Sequence, residues 1–462
     1  MATSILKLLR SLRSLTTTLT ATICATYSPV LLYSLYFTLC TVFIIHFLFF
    51  PPCLYGADIF LQVKSTGRKT NIFVCPTDDT KLSADICKIT SDDLEYSGIF
   101  NLISMPLESS GLIDRSFTKK TDFSKNDHDI ATSLGIDTIV KFKIKTKSNK
   151  ITLFGYCLDT ASIKKIFDKE YNCFDNETRK LAHNFAEDII KTLTGQEIKF
   201  TSKIAFSNAK TGKKEIWCID YDGKNPTRLT YHNSISILPK FSADGNYVYY
   251  TTYKNGNPDI FRYDFKKNIT IPFITYQGLN IPGSSSCDGK YFIATLSRDG
   301  DPELYLFTTN GKMVRQLTYS RGIDTSASFS PNSKEFVFVS DRTGNPQLHI
   351  MDIDGTNTRK ITSTTYNDSP CWSPIGGAIT FAKRNGSIFD IYVIDVSTNK
   401  EYQLTKNSCS NENPSFSNDG RRIVFSSNRN GRYELFSMYS DGSEQKPIGS
   451  IIKDSTNPVW SP

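Results

Sequence analysis

The chain has 462 residues, 39% of them hydrophobic and 22% charged, with 26 glycines, 19 prolines and a formal net charge of +8. A composition this close to that of ordinary globular proteins excludes a collagen-like, low-complexity or disordered chain. The positive excess is mild and its lysines are scattered, which excludes the clustered basic face of a nucleic-acid binder.

No acidic residue precedes Asp58. Lys7, Arg10 and Arg13 stand ahead of the apolar run Val30 to Phe50, whose one ionisable side chain is His46. At 21 residues the run exceeds a usual secretory core and is long enough to span a bilayer. The helix-breaking "PPCLYGA" that follows suits cleavage near Gly56 or Ala57. Residues 1–57 are therefore expected to be a signal peptide or an uncleaved anchor, with the remainder of the chain exported. At the new N-terminus, "DIFLQV" alternates Ile59, Leu61 and Val63 with Asp58, Phe60 and Gln62. It is expected either to lie as an edge strand or to swing free and add to a partner's sheet.

Residues 58–198 are expected to form a small α/β domain. "NIFVC", "IDTIVKFKIK" and "ITLFGYCL" read as strands, and Ser83 to Ser97 and Glu177 to Leu193 as helices. In the second helix Leu181, Phe185, Ile189 and Leu193 recur at every fourth position, Asn176 is placed to cap the start and Gly195 to end it. Cys24, Cys40 and Cys53 belong to the leader. The other cysteines show no CxxC pair and no metal-ligand spacing, so export permits disulfides without the sequence specifying any. Cys157 and Cys173 fall in neighbouring expected strands.

From residue 199 onward the chain repeats. A 28-residue block, "EFVFVSDRTGNPQLHIMDIDGTNTRKIT" at Glu335 and five relatives at Lys203, Tyr247, Tyr291, Ala378 and Arg422, recurs at spacings of 43 or 44 residues. Each block reads strand, turn, strand, turn, strand. In each, an acidic or amide residue (Glu215, Asp259, Glu303, Gln347, Asp390, Glu434) precedes an aliphatic one and then a ring (Trp217, Phe261, Tyr305, His349, Tyr392, Phe436), the alternation of a half-buried strand. Asp222-Gly223, Asn310-Gly311, Asp354-Gly355 and Asp441-Gly442 are expected to form type I′ turns. Ahead of each of the last five blocks lies a seven-residue piece such as "PSFSNDG". The first block lacks one, and the chain ends on an unmatched "PVWSP", Pro458 to Pro462. The count closes only as a ring, so residues 199–462 are expected to be a six-bladed β-propeller of four-stranded blades, its C-terminal strand completing the first. The fold class is thus mainly β, with the small α/β domain ahead of the propeller.

Catalytic signatures are absent: there is no G-x-S-x-G elbow and no HExxH, and the histidines do not cluster in sequence. The carboxylate column could line an ion site, but a position repeated in every blade more often serves the blade itself. No catalytic residue, metal ligand or cofactor is assigned. In a propeller the connections between one blade's outer strand and the next blade's inner strand gather around one mouth of the channel. Here they are variable and polar ("YHNSISIL", "TYQGLNIP", "YSRGIDTS", "STTYNDS", "KNSCSNEN", "IIKDSTN"), as a specific protein-binding face requires.

The block "PSFSNDGRRIVFSSNRNGRYELFSMYSDG", together with "YSGIFNLI" (Tyr96 to Ile103), "SLGIDTIVKFKI" (Ser133 to Ile144) and "KTLTGQEIKFTSKIAF" (Lys191 to Phe206), resembles the TolB family, the periplasmic propeller proteins of the Tol-Pal system. The resemblance runs from Asp58 to Pro462. It implies a non-enzymatic periplasmic adaptor that binds the peptidoglycan-associated lipoprotein Pal through the propeller and TolA through Asp58 to Val63, in a complex linking the envelope layers and involving other outer-membrane proteins. It carries Thr325 over as a Pal contact. At Leu279 the family's histidine is absent, so that contact must differ. Asn280, Asp368 and Asn413 are added from equivalent loop positions. The alternative class is an exported hydrolase or lactonase with its site at the channel mouth.

Overall fold

The computed structural model describes residues 68–103, 125–449 and 453–462. The leader and Asp58 to Val63 lie outside the described residues.

The N-terminal region builds one five-stranded sheet, β1 (Thr70–Pro76), β2 (Phe100–Leu102), β3 (Thr138–Lys147), β4 (Lys150–Asp159) and β5 (Lys164–Phe174), in the order β2-β1-β3-β4-β5. Strand β1 runs parallel to β2 and β3, while β3, β4 and β5 are antiparallel. Helices α1 (Lys81–Tyr96) and α3 (Thr178–Thr194) share a core with one face, where Ile86, Leu94, Phe185 and Ile189 meet Ile72, Val140 and Phe142. Helix α2 (Lys125–Ser133) contributes Ala131 to a second core with Phe73, Cys75 and Ile139 on the opposite face. The unbroken apolar run of "NIFVC" follows from burial on both sides. Gly155 on β4 is needed for space, because a Cβ there would run into the Phe185 ring.

Helix α3 ends as expected, with Gly195 left-handed at φ 72° and its N–H donating to the Lys191 carbonyl. Its start differs: a 3-10 turn, Asp175–Glu177, leads into the helix, Glu177 takes the capping position, and no side chain caps it, Asn176 included. Cys157 and Cys173 do lie on neighbouring strands, yet Cys173 faces Ile151 across the ladder, and all eight described cysteines are free.

The remainder is a ring of six four-stranded antiparallel sheets, as the repeat implies. Blade 1 takes its inner strand, Ser455–Trp460, from the C-terminal end of the chain and its other strands from Lys203–Asn208, Glu215–Asp220 and Thr227–Arg228. Ser455 pairs with Asn208 and Trp460 with Ile204. The inner strands of blades 2 to 6 are Ser236–Phe241, Asn280–Ser285, Asp324–Phe329, Asn367–Trp372 and Asn411–Phe416. Each starts three residues earlier than the seven-residue pieces suggest.

The second hairpins are not type I′. At Asp220–Lys224 the Gly223 N–H donates to the Asp220 carbonyl and the Asp220 N–H to the Lys224 carbonyl, with Gly223 at φ 80°. Asp222 is not among the residues at positive φ. This is a three-residue connection, a type I turn closed by one left-handed glycine, which needs positive φ at one position only.

The α/β region is fastened to blades 1 and 6. Arg422 of blade 6 is sandwiched between the Tyr96 and Tyr439 rings, 3.7 and 4.1 Å from their centroids, and its Nη2 donates to the Tyr96 carbonyl at 2.8 Å. Asp93 on α1, 1% exposed, accepts hydrogen bonds from the Tyr221 hydroxyl and, at 2.7 Å, from His183 Nδ1.

Candidate functional site

Six inner strands line a channel of about 780 Å³. Their residues fall into rows. The first residue of every strand (Ser236, Asn280, Asp324, Asn367, Asn411, Ser455) is fully buried, at 0% exposure. The third residue is left-handed in five of the six, with φ of 52–57° at Leu238, Ser326, Ser369, Asn413 and Asn457. The ladder shifts register there, so each strand bulges. Pro239, Pro370, Pro414 and Pro458 follow the bulge on what is the innermost edge of each sheet, where a missing N–H costs no ladder bond.

This geometry sorts the residues expected to meet a partner. Thr325 and Asp368, second in their strands, and Asn413, third in its strand, all line the channel. The Asn413 amide donates to Ser369 Oγ at 3.0 Å, and Thr325 Oγ1 accepts from Thr295 Oγ1 at 3.3 Å. Leu279 and Asn280 do not join them. Leu279 is half-buried ahead of the strand, its N–H donating to Ser297 Oγ at 2.8 Å. The Asn280 amide donates to the carbonyls of Pro258, Tyr276 and Gly278 and its oxygen accepts from the Tyr276 N–H, so it closes the loop behind the mouth. The segment Asp58, Ile59, Phe60, Leu61, Gln62, Val63 lies outside the described residues. Around the mouth, exposed rings and aliphatics stand on the connecting loops: Tyr231 is 72% exposed, Tyr319 78% and Ile323 48%.

Two channel groups were not singled out from the sequence. Lys240 and Cys371 occupy the fifth position of their strands, where the other strands carry Ser284, Ser328, Ser415 and Val459. Those serine hydroxyls accept from the next blade's backbone: Ser284 from Phe329 N–H, Ser328 from Trp372 N–H and Ser415 from Trp460 N–H. Aligning the inner strands instead of the hairpins would have exposed Lys240 as the one charge in that column. Glu412 lies beside Asp368. Burial raises the Asp368 pKa and Glu412 adds to the rise, while the Ser369 N–H and Lys240 oppose it.

The repeated carboxylate column is tied up within and between blades. Glu215 accepts from Thr230, from Arg228 at 3.1 Å and from the Asn233 N–H at 2.9 Å. Asp390 accepts from Thr405 Oγ1 at 2.8 Å and Gln347 Oε1 from Thr362 Oγ1 at 2.8 Å. No cluster of three or more metal-ligating side chains occurs among the described residues. Of the described histidines, His183 is buried against Asp93 and His349 stacks in its aromatic column, 5.6 Å from Phe338.

Glu303 differs from its column mates. Burial pushes its carboxyl up to about 7, with the neighbouring Asp324 carboxylate adding to the rise, while Thr318 opposes it. Asp324 is held by Arg342 Nη2 at 2.7 Å. An unfolded glutamate releases its proton near 4.3. The folded chain therefore keeps a proton that the unfolded chain has lost, and stability falls as pH rises from about 4.3 to about 7. Glu303→Gln is expected to flatten that fall and to be the more stable protein at pH 8, by about 1–2 kcal/mol after solvent screening is allowed for. Urea unfolding of both proteins at pH 5 and pH 8 measures it; parallel pH profiles would show that Glu303 ionises freely.

Residues 190–462 match the family model described as the TolB beta propeller domain. A curated relative, "Protein TolB homolog" of Chlorobium chlorochromatii (strain CaD3), is 32% identical over 217 residues, covering 45% of this chain and 48% of the relative. "Tol-Pal system protein TolB" of Geobacter sulfurreducens is 33% identical over 204 residues, covering 42% of this chain and 45% of that protein. The matched part is thus about half the length of these curated relatives. The crystal structure of TolB from Acinetobacter baumannii superposes with a TM-score of 0.73 at 24% identity, over 86% of this chain and 97% of that one, and so shares the fold. With more than half of its residues matched by the propeller model, the chain belongs to the TolB β-propeller family.

Proposed function

We propose that the chain is a non-enzymatic adaptor of the Tol-Pal envelope complex, working in the periplasm and supporting outer-membrane integrity and cell division. Its propeller mouth binds the lipoprotein Pal, and the segment Asp58 to Val63 binds TolA, with other outer-membrane proteins as further partners. Family membership supports the reading, as does a relative that carries the Tol-Pal name. The observation that carries it is the mouth itself. Thr325, Asp368 and Asn413 converge on one channel wall, held on a rigid ring and rimmed by exposed Tyr231, Tyr319 and Ile323. Leu279 stands at the edge of this surface, while buried Asn280 shapes it from behind.

Each contact residue is expected to contribute about 0.5–2 kcal/mol, because few residues dominate such an interface. Changing Thr325 and Asp368 together to Arg should lower Pal affinity at least tenfold in a chain whose circular dichroism is unchanged. Unchanged affinity in a folded double variant would move the site off this face. Separately, removing Asp58 to Val63 should abolish TolA capture and leave Pal binding intact; retained TolA capture would sink that half of the proposal.

A further inference from the structure

Lys240 and Asp368 present opposite charges to one channel without pairing to each other or to anything else of opposite sign. The Lys240 side chain takes part in no hydrogen bond or ion pair among the described residues, and burial lowers its pKa while Cys371 and Asp368 oppose that shift. Asp368, which lines the channel, accepts one hydrogen bond, from the Ser369 N–H at 2.6 Å, on Oδ1, and its Oδ2 has no donor among the described residues. Glu412 spends Oε1 on Ser410 and Tyr433, and its Oε2 is likewise undonated. All three side chains are half-buried on the channel wall, where a charge is held less well than in bulk water unless something of opposite sign compensates it.

The two signs are also separated along the channel. Asp368 and Glu412 are second in their inner strands and Lys240 is fifth in its strand. That is three strand positions from the mouth inward, a step that the bulge at the third residue keeps below the about 10 Å of a regular strand. A metal cation at the carboxylates would leave Lys240 uncompensated, and a simple anion at Lys240 would leave the carboxylates so. One ligand that carries both charges a short distance apart satisfies all three. Across the channel from the acids, Ile281 occupies the same row as Asp368 and offers an apolar wall. The channel's volume of about 780 Å³ suits a ligand of that size.

We propose that the propeller channel binds a small zwitterion of amino-acid to dipeptide size. Lys240 holds its carboxylate, Asp368 and Glu412 hold its ammonium group, and its apolar side chain lies against Ile281. The site shares Asp368 with the surface proposed for Pal, whereas Lys240 belongs to the zwitterion site alone.

The test is calorimetric titration of the full chain with L-alanyl-L-leucine, with its N-acetylated form and with its C-terminal amide. The free dipeptide is expected to bind, and blocking either end to weaken binding at least tenfold. Lys240→Met should erase the preference for the free carboxylate and Asp368→Asn the preference for the free amine. Equal binding of the blocked and free forms, or no heat with any of them at millimolar concentration, overturns the proposal. The blocked ligands probe the unaltered chain, so the test holds even where a variant fails to fold. Pal capture by Lys240→Met, measured in parallel, tells loss of this site apart from loss of the rim, because Lys240 is not among the residues proposed to meet Pal.

Discussion

Deleting Ser455 to Pro462 is expected to abolish cooperative unfolding of the whole ring, not merely to loosen blade 1. The segment supplies the entire inner strand of that blade, pairing Ser455 with Asn208 and Trp460 with Ile204. It also clasps the neighbouring chain through side chains. The Asn208 amide donates to Ser455 Oγ at 2.9 Å, and Trp460 Nε1 donates to Ser202 Oγ at 2.9 Å. Trp460 is 6% exposed, and Trp460→Ala alone should cost about 3–5 kcal/mol. Losing the strand adds an unpaired sheet edge and an uncovered core face, so the total approaches the whole net stability of a typical domain, about 5–15 kcal/mol. Calorimetry of the truncated chain measures this; a melting transition like that of the full chain would refute the closure.

Asp93→Ala should be the most damaging single change at the junction between the α/β region and the ring. Asp93 is the shared acceptor for His183 of α3 and Tyr221 of blade 1. Burial raises its pKa, and the bonds from His183 and Tyr221 oppose that rise. Alanine would strand a buried hydroxyl and a buried imidazole together, at about 3–5 kcal/mol. Asp93→Asn keeps one acceptor and should cost about half as much. Urea unfolding gives the energies, and faster proteolysis between Gly195 and Ser202 would report the loosened junction. A loss under 1 kcal/mol for Asp93→Ala would show that water takes over both bonds.

The ring was legible because its columns are local. Glu215, Ile216 and Trp217 repeat as polar, aliphatic and aromatic in every blade, and glycine spacing marks the hairpins. What was missed lacked such a signature. Strand β5, "KKIFDKEYNCF", was expected only around Cys173 and without bounds, because it has a single buried residue, Tyr171, on an edge strand with charges along it. Helix α2 shows little apolar periodicity around Ala131. The first half of four inner strands, such as "NDS" at Asn367, is polar because it buries a polar first residue behind the loop and turns the next residues toward the channel. The same reason decides the site residues. Thr325, Asp368 and Asn413 follow that first position and reach the channel, whereas Asn280 is itself a first-position residue and turns inward to the loop. The turn type was misread because a lone left-handed glycine after a type I turn also carries an Asp-Gly pair.

The core under the α/β region runs on without a break into Ile204, Phe206 and Ile219 of blade 1, Val424 and Leu435 of blade 6 and the closing Trp460. Synthesis delivers these pieces in a fixed order, with the α/β region ahead of the blades and Trp460 after all of them. Until residues 455–460 emerge, the strand Lys203–Asn208 has an open edge and its partner does not yet exist. The ring therefore cannot close as the chain grows, and its decisive contact joins residues 245 positions apart. Contacts so distant in sequence are slow to form, which makes closure the late step of folding and leaves the incomplete ring open to edge-to-edge pairing with other chains. The early α/β region offers blade 1 a surface to pack on during that interval, so it acts as a template for the seam as well as a cover over it.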